Sequence, residues 1–438
     1  MSRPNPLILL SILLVTFAGF AWFGFRQSAL LISVHEGDTF HLLDILFRME
    51  RGQTPHIDFM TPLGVMSFLP IEAFLTRGFG IGNSLLWSQV IVTAVLFPAI
   101  WYVSWSRLSP KLGSFFGAFA IIQTLALTFG GSEPGLSMSM HYNRWAWTIG
   151  FLVILLAFAP ARARPIVDGV FLGLGLSVLV FLKVTFFVAL FPGVALVLYL
   201  KGRWATIGVM VATGILSAGF AVFALGLEFI FQYVGDLLTV SGSEVRPHAG
   251  TSFGELLSQP STIGLTVVGL LTYLLVSRAG HRDEALGLLL LVPGCFFITY
   301  QNFGNDPKWL VPMIALMLML RPDPGERAAY GADVHTALTG LSMAAMLLFL
   351  PSATSMFLSP LKHAAQDISE YEPLLPALPQ HGDILIRTDR ANTMTAQVEL
   401  DVPGSVWVAY REAAGRAEPL VLAGVALPEC ELRAGTIA

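Results

Sequence analysis

From Pro6 to Phe25 the chain runs for about twenty residues without one charged side chain, a length that matches the thickness of bilayer hydrocarbon. Comparable apolar blocks recur at Trp87 to Trp105, Ala205 to Phe231, Ile263 to Val276 and Leu338 to Leu350. No water-soluble core needs so many. Of 438 residues, 55% are hydrophobic and 12% charged, about half the charged share of a soluble domain. The blocks predict an all-α polytopic membrane protein. Only Arg3 precedes the first apolar run, which is long and lacks a small-x-small cleavage pattern. It is therefore expected to be an uncleaved helix rather than a signal peptide.

The formal net charge is −4, and no basic stripe is available to neutralise phosphates, so no nucleic-acid partner is expected. Two cysteines, Cys295 in an apolar block and Cys430 near the end, support neither a disulfide framework nor a zinc site.

Basic residues between spans are retained on the cytoplasmic side. Inside turns are predicted at Arg107 to Lys111, Arg162 to Arg164, Lys201 to Arg203, Arg278 to Arg282 and Arg321 to Arg327. The loops between them, Gly131 to Asn143, Tyr233 to Leu256 and Asn302 to Lys308, are then outside, with Ile166 to Leu200 a helical hairpin turning near Lys183. Pro62 to Thr76 is short and interrupted by Pro70 and Glu72. It is expected to be re-entrant or interfacial, because a full crossing would invert every later loop. The count is eleven transmembrane helices, or twelve if that segment crosses, with the N-terminus cytoplasmic and the C-terminus extracytoplasmic. Residues 1–359 form the transmembrane part, with a first outer loop over 33–62. Residues 360–438 are expected as a small extracytoplasmic α/β or β-rich appendage, with strands at Asp383 to Thr388, Thr395 to Leu400 and Ser405 to Tyr410.

The first outer loop carries the densest polar chemistry. Phe40, Leu43, Leu46 and Phe47 recur at helical spacing, while Asp38, His41, Asp44 and Arg48 occupy another face. This predicts an amphipathic helix over Thr39 to Met49, lying parallel to the membrane on its outer surface. Glu36 and Asp38, one Gly apart at its start, can share a divalent cation through hard oxygen ligands, or one can act as general base. They can equally be acids favoured at a helix N-terminus.

The order of features here, Glu36-Gly37-Asp38, a membrane-parallel helix, Gly52-x-x-Pro55-x-x-Asp58-Phe59, then Pro62 and an apolar segment, resembles the C-superfamily of integral membrane glycosyltransferases. Those enzymes draw sugars from polyprenyl-phosphate carriers. The resemblance covers about thirty residues closely and the rest in general plan. It departs from the common pattern at Gly64, where a second Pro often stands, and at His35 before the acids. It implies an inverting transfer from a polyprenyl-phosphate-linked sugar to a hydroxyl of a glycan, lipid or protein acceptor, at the outer face of a bacterial-type inner membrane. Asp38 would be the general base and Glu36 its supporting acid or metal ligand. The family varies in its need for metal, so no cofactor is fixed.

Further polar residues ask for a reason. Arg144 follows His141, Tyr142 and Asn143 at a helix start. Its forked donors suit a phosphate, or it anchors the interface together with Trp145 and Trp147. Lys183 inside an apolar run is costly and marks a site by default, or it snorkels. Lys183, Arg144, His141, His56, Asp58 and Lys308 are the candidate substrate and lipid-phosphate ligands. Tyr233 to Ser252 is long enough for a lid. A transporter or flippase would place ionisable residues mid-span, whereas these charges gather at one surface. A ligase or polymerase for lipid-linked glycans would carry its basic residues in a large later loop, and Tyr233 to Ser252 is modest. A non-enzymatic scaffold, a degenerate member of the family, is the remaining alternative.

Overall fold

The computed structural model describes residues 4–160, 164–242, 252–258, 260–302, 307–329, 331–393, 395–397, 421–423 and 427–428. Among the described residues six helices have the length and apolarity to cross a membrane: α1 (Pro6–Phe25), α4 (Ile81–Arg107), α7 (Pro165–Leu200), α8 (Trp204–Leu225), α12 (Arg282–Gln301) and α14 (Val334–Ala365). Between them lie α2 (Glu36–Glu50), α3 (Leu69–Leu75), α5 (Pro110–Leu125), α6 (His141–Phe158), α9 (Leu227–Ser241), α10 (Phe253–Ser258), α11 (Pro260–Arg278) and α13 (Leu310–Leu320). Large apolar side chains such as Phe223, Leu216, Val15 and Val95 stand exposed. That is the arrangement of a protein solvated by hydrocarbon. The chain is a membrane protein with few strands.

At the centre stands α6, buried on nearly every face from Asn143 to Phe158, as an all-round apolar helix must be. Both halves of α7 pack along it. At Lys183 the backbone leaves the helical region (φ −159°, ψ 101°) and the element folds back. A Cβ built on Gly175 would lie 3.0 Å from Val153, and one on Gly150 would lie 3.0 Å from Leu190. Positions about equally far on either side of Lys183 therefore meet the same stretch of α6. Straight, 36 residues would span about 54 Å. Instead Asp168, near its start, pairs with Arg107, and Arg203, just past its end, feels the charges of both. The hairpin turning near Lys183 is present.

Arg162 and Ala163 lie outside the described residues; Arg164 and the other predicted inside turns collect at this end of the bundle. Lys201 pairs with Glu284 at 2.6 Å, and Arg327 reaches the carbonyl of Arg278. The apolar block from Ala205 to Phe231 is not one span: Gly226 (φ 87°) ends α8 and starts α9 in a new direction. Pro62 to Thr76 makes one turn of 3-10 helix (Val65–Ser67) and the short α3, held at the hairpin tip by the Ser67 hydroxyl on the Leu182 carbonyl.

Two expectations are corrected by packing. Helix α2 does not lie with its apolar face on lipid: Phe40, Leu43, Leu46 and Phe47 are buried against protein, with the Phe47 ring on His381. Nor does the described stretch from 361 to 391 hang apart from the rest. The three-residue strand β1 (Leu30–Ile32) pairs in parallel with β5 (Ile384–Arg387), and β4 (Tyr371–Pro373) flanks β5 on the other side. Asp383 accepts from the amides of Gly82 and Asn83, capping α4 from across the chain. The other strands are the ribbon β2 (Ala328–Ala329) and β3 (Ala332–Asp333), and a small sheet of β6 (Thr395–Gln397), β7 (Val421–Ala423) and β8 (Leu427–Pro428). The segment Ser405 to Tyr410 lies outside the described residues.

Candidate functional site

The site is built at the end of the bundle opposite the basic turns, where the first loop meets residues 127–140. Ser33 pins the two together: its amide donates to the Leu136 carbonyl and its hydroxyl accepts from the Leu136 amide, both at 2.9 Å. Gly135 is required there, because an added Cβ would lie 2.3 Å from Val34. The chain then turns through Met140 at φ 53° and enters α6, so Ser139, His141 and Tyr142 face α2.

Asp38, in the first turn of α2, is exposed and lines a small pocket of about 40 Å3 with His41, Ser139, His141 and Tyr142, walled by Leu42, Ile45, Leu63 and Phe68. The Ser139 hydroxyl donates to its carboxylate. Behind this pocket the cations gather. Arg144 is wholly buried and donates through one nitrogen to the carbonyls of Thr128 and Ser139. Its Nε and other Nη have no hydrogen-bond partner among the described residues. Ser139 thus touches Asp38 with its side chain and Arg144 with its backbone. Lys308 is buried too, its Nζ 3.0 Å from where Gly130 would carry a Cβ, and Arg144 flanks the same spot. Gly130, at φ 102°, lets both approach.

Lys183, at the hairpin tip, donates to the side-chain oxygens of Asn143 and Asn302 and lies 5.3 Å from the Tyr142 ring centre. The extended backbone at Lys183 aims it across the bundle. The two asparagines are joined to each other at 3.1 Å. Asp38, Ser139, Tyr142, Lys183, Arg144 and Lys308 therefore share one neighbourhood. Asn305 and Asp306 lie outside the described residues.

The other candidates take different positions. Glu36 does not turn towards Asp38. It is buried and held by a two-pronged pair with Arg390 of α15 (Thr388–Thr393), at 2.8 and 2.9 Å. Burial alone would raise its pKa, but the Arg390 hydrogen bonds and charge outweigh that and hold it below the usual 4.5. Both Glu36 carboxylate oxygens are thus engaged by Arg390. Among the described residues no group of three or more His, Cys, Asp or Glu is placed to hold a metal. His141 spends its Nε2 on the Ser67 carbonyl at 2.9 Å. Trp145 and Trp147 are buried, with the Trp145 indole on Gln89, so the interfacial-anchor role for this stretch does not apply.

Asp58 is exposed and accepts from the Thr54 amide at 2.6 Å. Together with Gly52 (φ 83°), which ends α2, it makes the Gly-x-x-Pro-x-x-Asp-Phe stretch a turn. His56, buried at φ 69°, meets Asp236 of α9 at 2.7 Å and packs on Phe229 and Tyr233. Burial lowers its pKa more than Asp236 raises it. Tyr233 to Ser241 is thus helix docked on the first loop, while Glu244, Arg246 and His248 lie outside the described residues. Sequence reasoning did not find Ser139 or Arg390. Neither carries a local signal, since each acquires its role from a partner about a hundred or more residues away.

The chain matches no protein-family model, no curated protein and no solved structure.

Proposed function

We propose that this protein transfers a sugar from a polyprenyl-phosphate carrier to an acceptor hydroxyl at the outer face of an inner (plasma) membrane. The observation that carries this reading is the meeting of an exposed carboxylate, Asp38, with cations buried behind it, Arg144 above all. Burying a cation is expensive, and a phosphate-bearing ligand would offset that cost by meeting the free guanidinium nitrogens.

In the proposed reaction Asp38 takes the proton of the acceptor hydroxyl. The hydroxyl oxygen attacks the anomeric carbon from the face opposite the leaving group, and the bond from that carbon to the phosphate oxygen breaks. The electron pair leaves with the lipid phosphate. Lys183, Arg144 and Lys308 offset the charge that develops there, and the sugar is inverted. The clustering of basic turns at the far end supports a cytoplasmic placement for that end. Counting α7 as two spans and adding α5, α6, α11 and α13 to the other long helices gives eleven, with the N-terminus inside and the C-terminus outside.

The test uses membranes carrying wild-type or Asp38→Asn protein and a strain lacking it. Asp38→Asn is expected to cut transfer by about a hundredfold or more with normal expression, and the deletion strain should accumulate a lipid-linked sugar detectable by mass spectrometry. Transfer unchanged in Asp38→Asn removes Asp38 from the chemistry. No accumulated lipid-linked sugar in the deletion strain removes the donor class.

A further inference from the structure

At the opposite end of the bundle, far from Asp38, the start of α5 and the end of α13 diverge and leave a cleft of about 540 Å3. Its walls are the apolar side chains of Leu112, Phe115, Leu318 and Met319, and its mouth carries Lys111 and Arg321 with Ser109. We infer that this cleft binds an anionic phospholipid of the surrounding leaflet, its phosphate between Lys111 and Arg321 and the upper part of an acyl chain against Phe115 and Leu318.

The argument rests on charge and shape together. Both cations stand at the ends of apolar helices, Lys111 at the start of α5 and Arg321 just past α13, which is where basic residues meet lipid headgroups. Arg321 is already oriented, because one of its guanidinium nitrogens donates to the Thr339 hydroxyl of α14 at 2.9 Å. Its remaining donors stay available to a phosphate, which Arg grips through paired hydrogen bonds. Lys111 is exposed and adds a point charge from the other wall. Below them Phe115, 57% exposed, offers its aromatic ring to the cleft. Basic pockets between transmembrane helices take anionic headgroups for these reasons. A soluble anion would use the cations alone and leave the apolar walls idle, whereas a lipid uses both. The cleft has no part in the proposed transfer.

The experiment takes the full-length protein in nanodiscs or detergent, with phosphatidylglycerol as the anionic probe and phosphatidylcholine as the neutral one. Native mass spectrometry should retain phosphatidylglycerol in preference to phosphatidylcholine. Lys111→Ala and Arg321→Ala should each weaken that retention about fivefold, and the pair should abolish the preference. Phe115→Ala keeps both charges and should weaken retention of both lipids. If Arg321→Ala fails to fold through loss of its Thr339 contact, Lys111→Gln with Phe115→Ala tests the cleft without it. Equal retention of the two lipids, or a preference untouched by Lys111 substitution, would overturn the inference.

Discussion

Glu36 keeps 7% of its side-chain surface exposed, while Arg390, its partner, keeps 44%. The asymmetry decides what each substitution does. Removing Arg390 leaves a largely buried carboxylate without its partner, whereas removing Glu36 leaves a guanidinium that can turn outward. Arg390→Ala is therefore expected to lower stability by about 1–3 kcal/mol, and Arg390→Lys by part of that, because Lys cannot make the two-pronged contact. Glu36→Gln combined with Arg390→Ala should recover most of the loss, since no buried charge is then left unpaired. Thermal unfolding of the four proteins in detergent checks this, and a double variant no better than Arg390→Ala would place the role of Arg390 elsewhere. At this scale the sequence was legible where a residue's environment is local. Lys183 stood out because an ammonium group inside an apolar run has few inexpensive explanations. Gly64 looked like a departure, and the packing accounts for it: a Cβ there would lie 2.0 Å from the Phe181 carbonyl oxygen. Arg390 was illegible, because nothing near it in sequence marks it as the partner of a carboxylate 354 residues away.

Among elements, α9 is attached to the first loop through one carboxylate, Asp236, which meets the His56 ring at 2.7 Å and accepts from the Thr61 amide at 3.4 Å. Its buried side reaches the rest of the protein through Phe229 and Tyr233, and Asp236 closes on His56. Leu227, Phe231 and Leu238 stay exposed on its other side. The groups facing His56 are Asp236, the aromatic rings and the Leu63 backbone. Its folded-state pKa lies below the ordinary 6.5. Above 6.5 the imidazole is neutral whether folded or unfolded, and the contact contributes fully. As pH falls below that value the unfolded chain takes up the proton first, so stability is lost. Wild-type protein should thus lose protection of α9 amides in hydrogen exchange between about pH 7 and pH 5, and His56→Gln should flatten that dependence. Identical pH profiles would show that another group titrates. The elements themselves were legible to differing depths. Pro6 to Phe25 was delimited because its ends are polar, and α2 was found from its period of apolar residues, starting three residues earlier than expected because Glu36 to Asp38 already belong to its first turn. What hydropathy could not separate was α8 from α9, since Gly226 turns the chain without changing its apolar character.

For the whole molecule, the C-terminal segment determines how firmly the first loop is held. It was expected as an appendage because charge returns after Lys362 and the residues fall into short strands. Its docking was invisible because the receiving strand, Leu30–Ile32, is three apolar residues that look like an extension of the first helix. Besides the Phe47 ring on His381, this segment is tied to the site's surroundings by β5 on β1, Arg390 on Glu36, and Asp383 on the start of α4, where Asn83 supplies both its amide and its side-chain nitrogen at 2.7 and 2.8 Å. Like Arg390, Asp383 can be tested alone, since it carries a cap and its substitution leaves the strand pairing in place. Asp383→Ala removes the acceptor for two amides at the head of a 27-residue helix, which costs about 1–2 kcal/mol at a capping position. Asp383→Asn, which can still accept, should cost less. A chain ending at Ala365 loses all of these ties at once, and cleavage by protease within residues 33–62 should then rise well beyond that in Asp383→Ala, while the helix bundle, buried around α6, stays folded. If the truncated chain resists protease as well as the full one, the segment does not hold the loop, and the position of Asp38 is fixed by Ser33 and Ser139 alone.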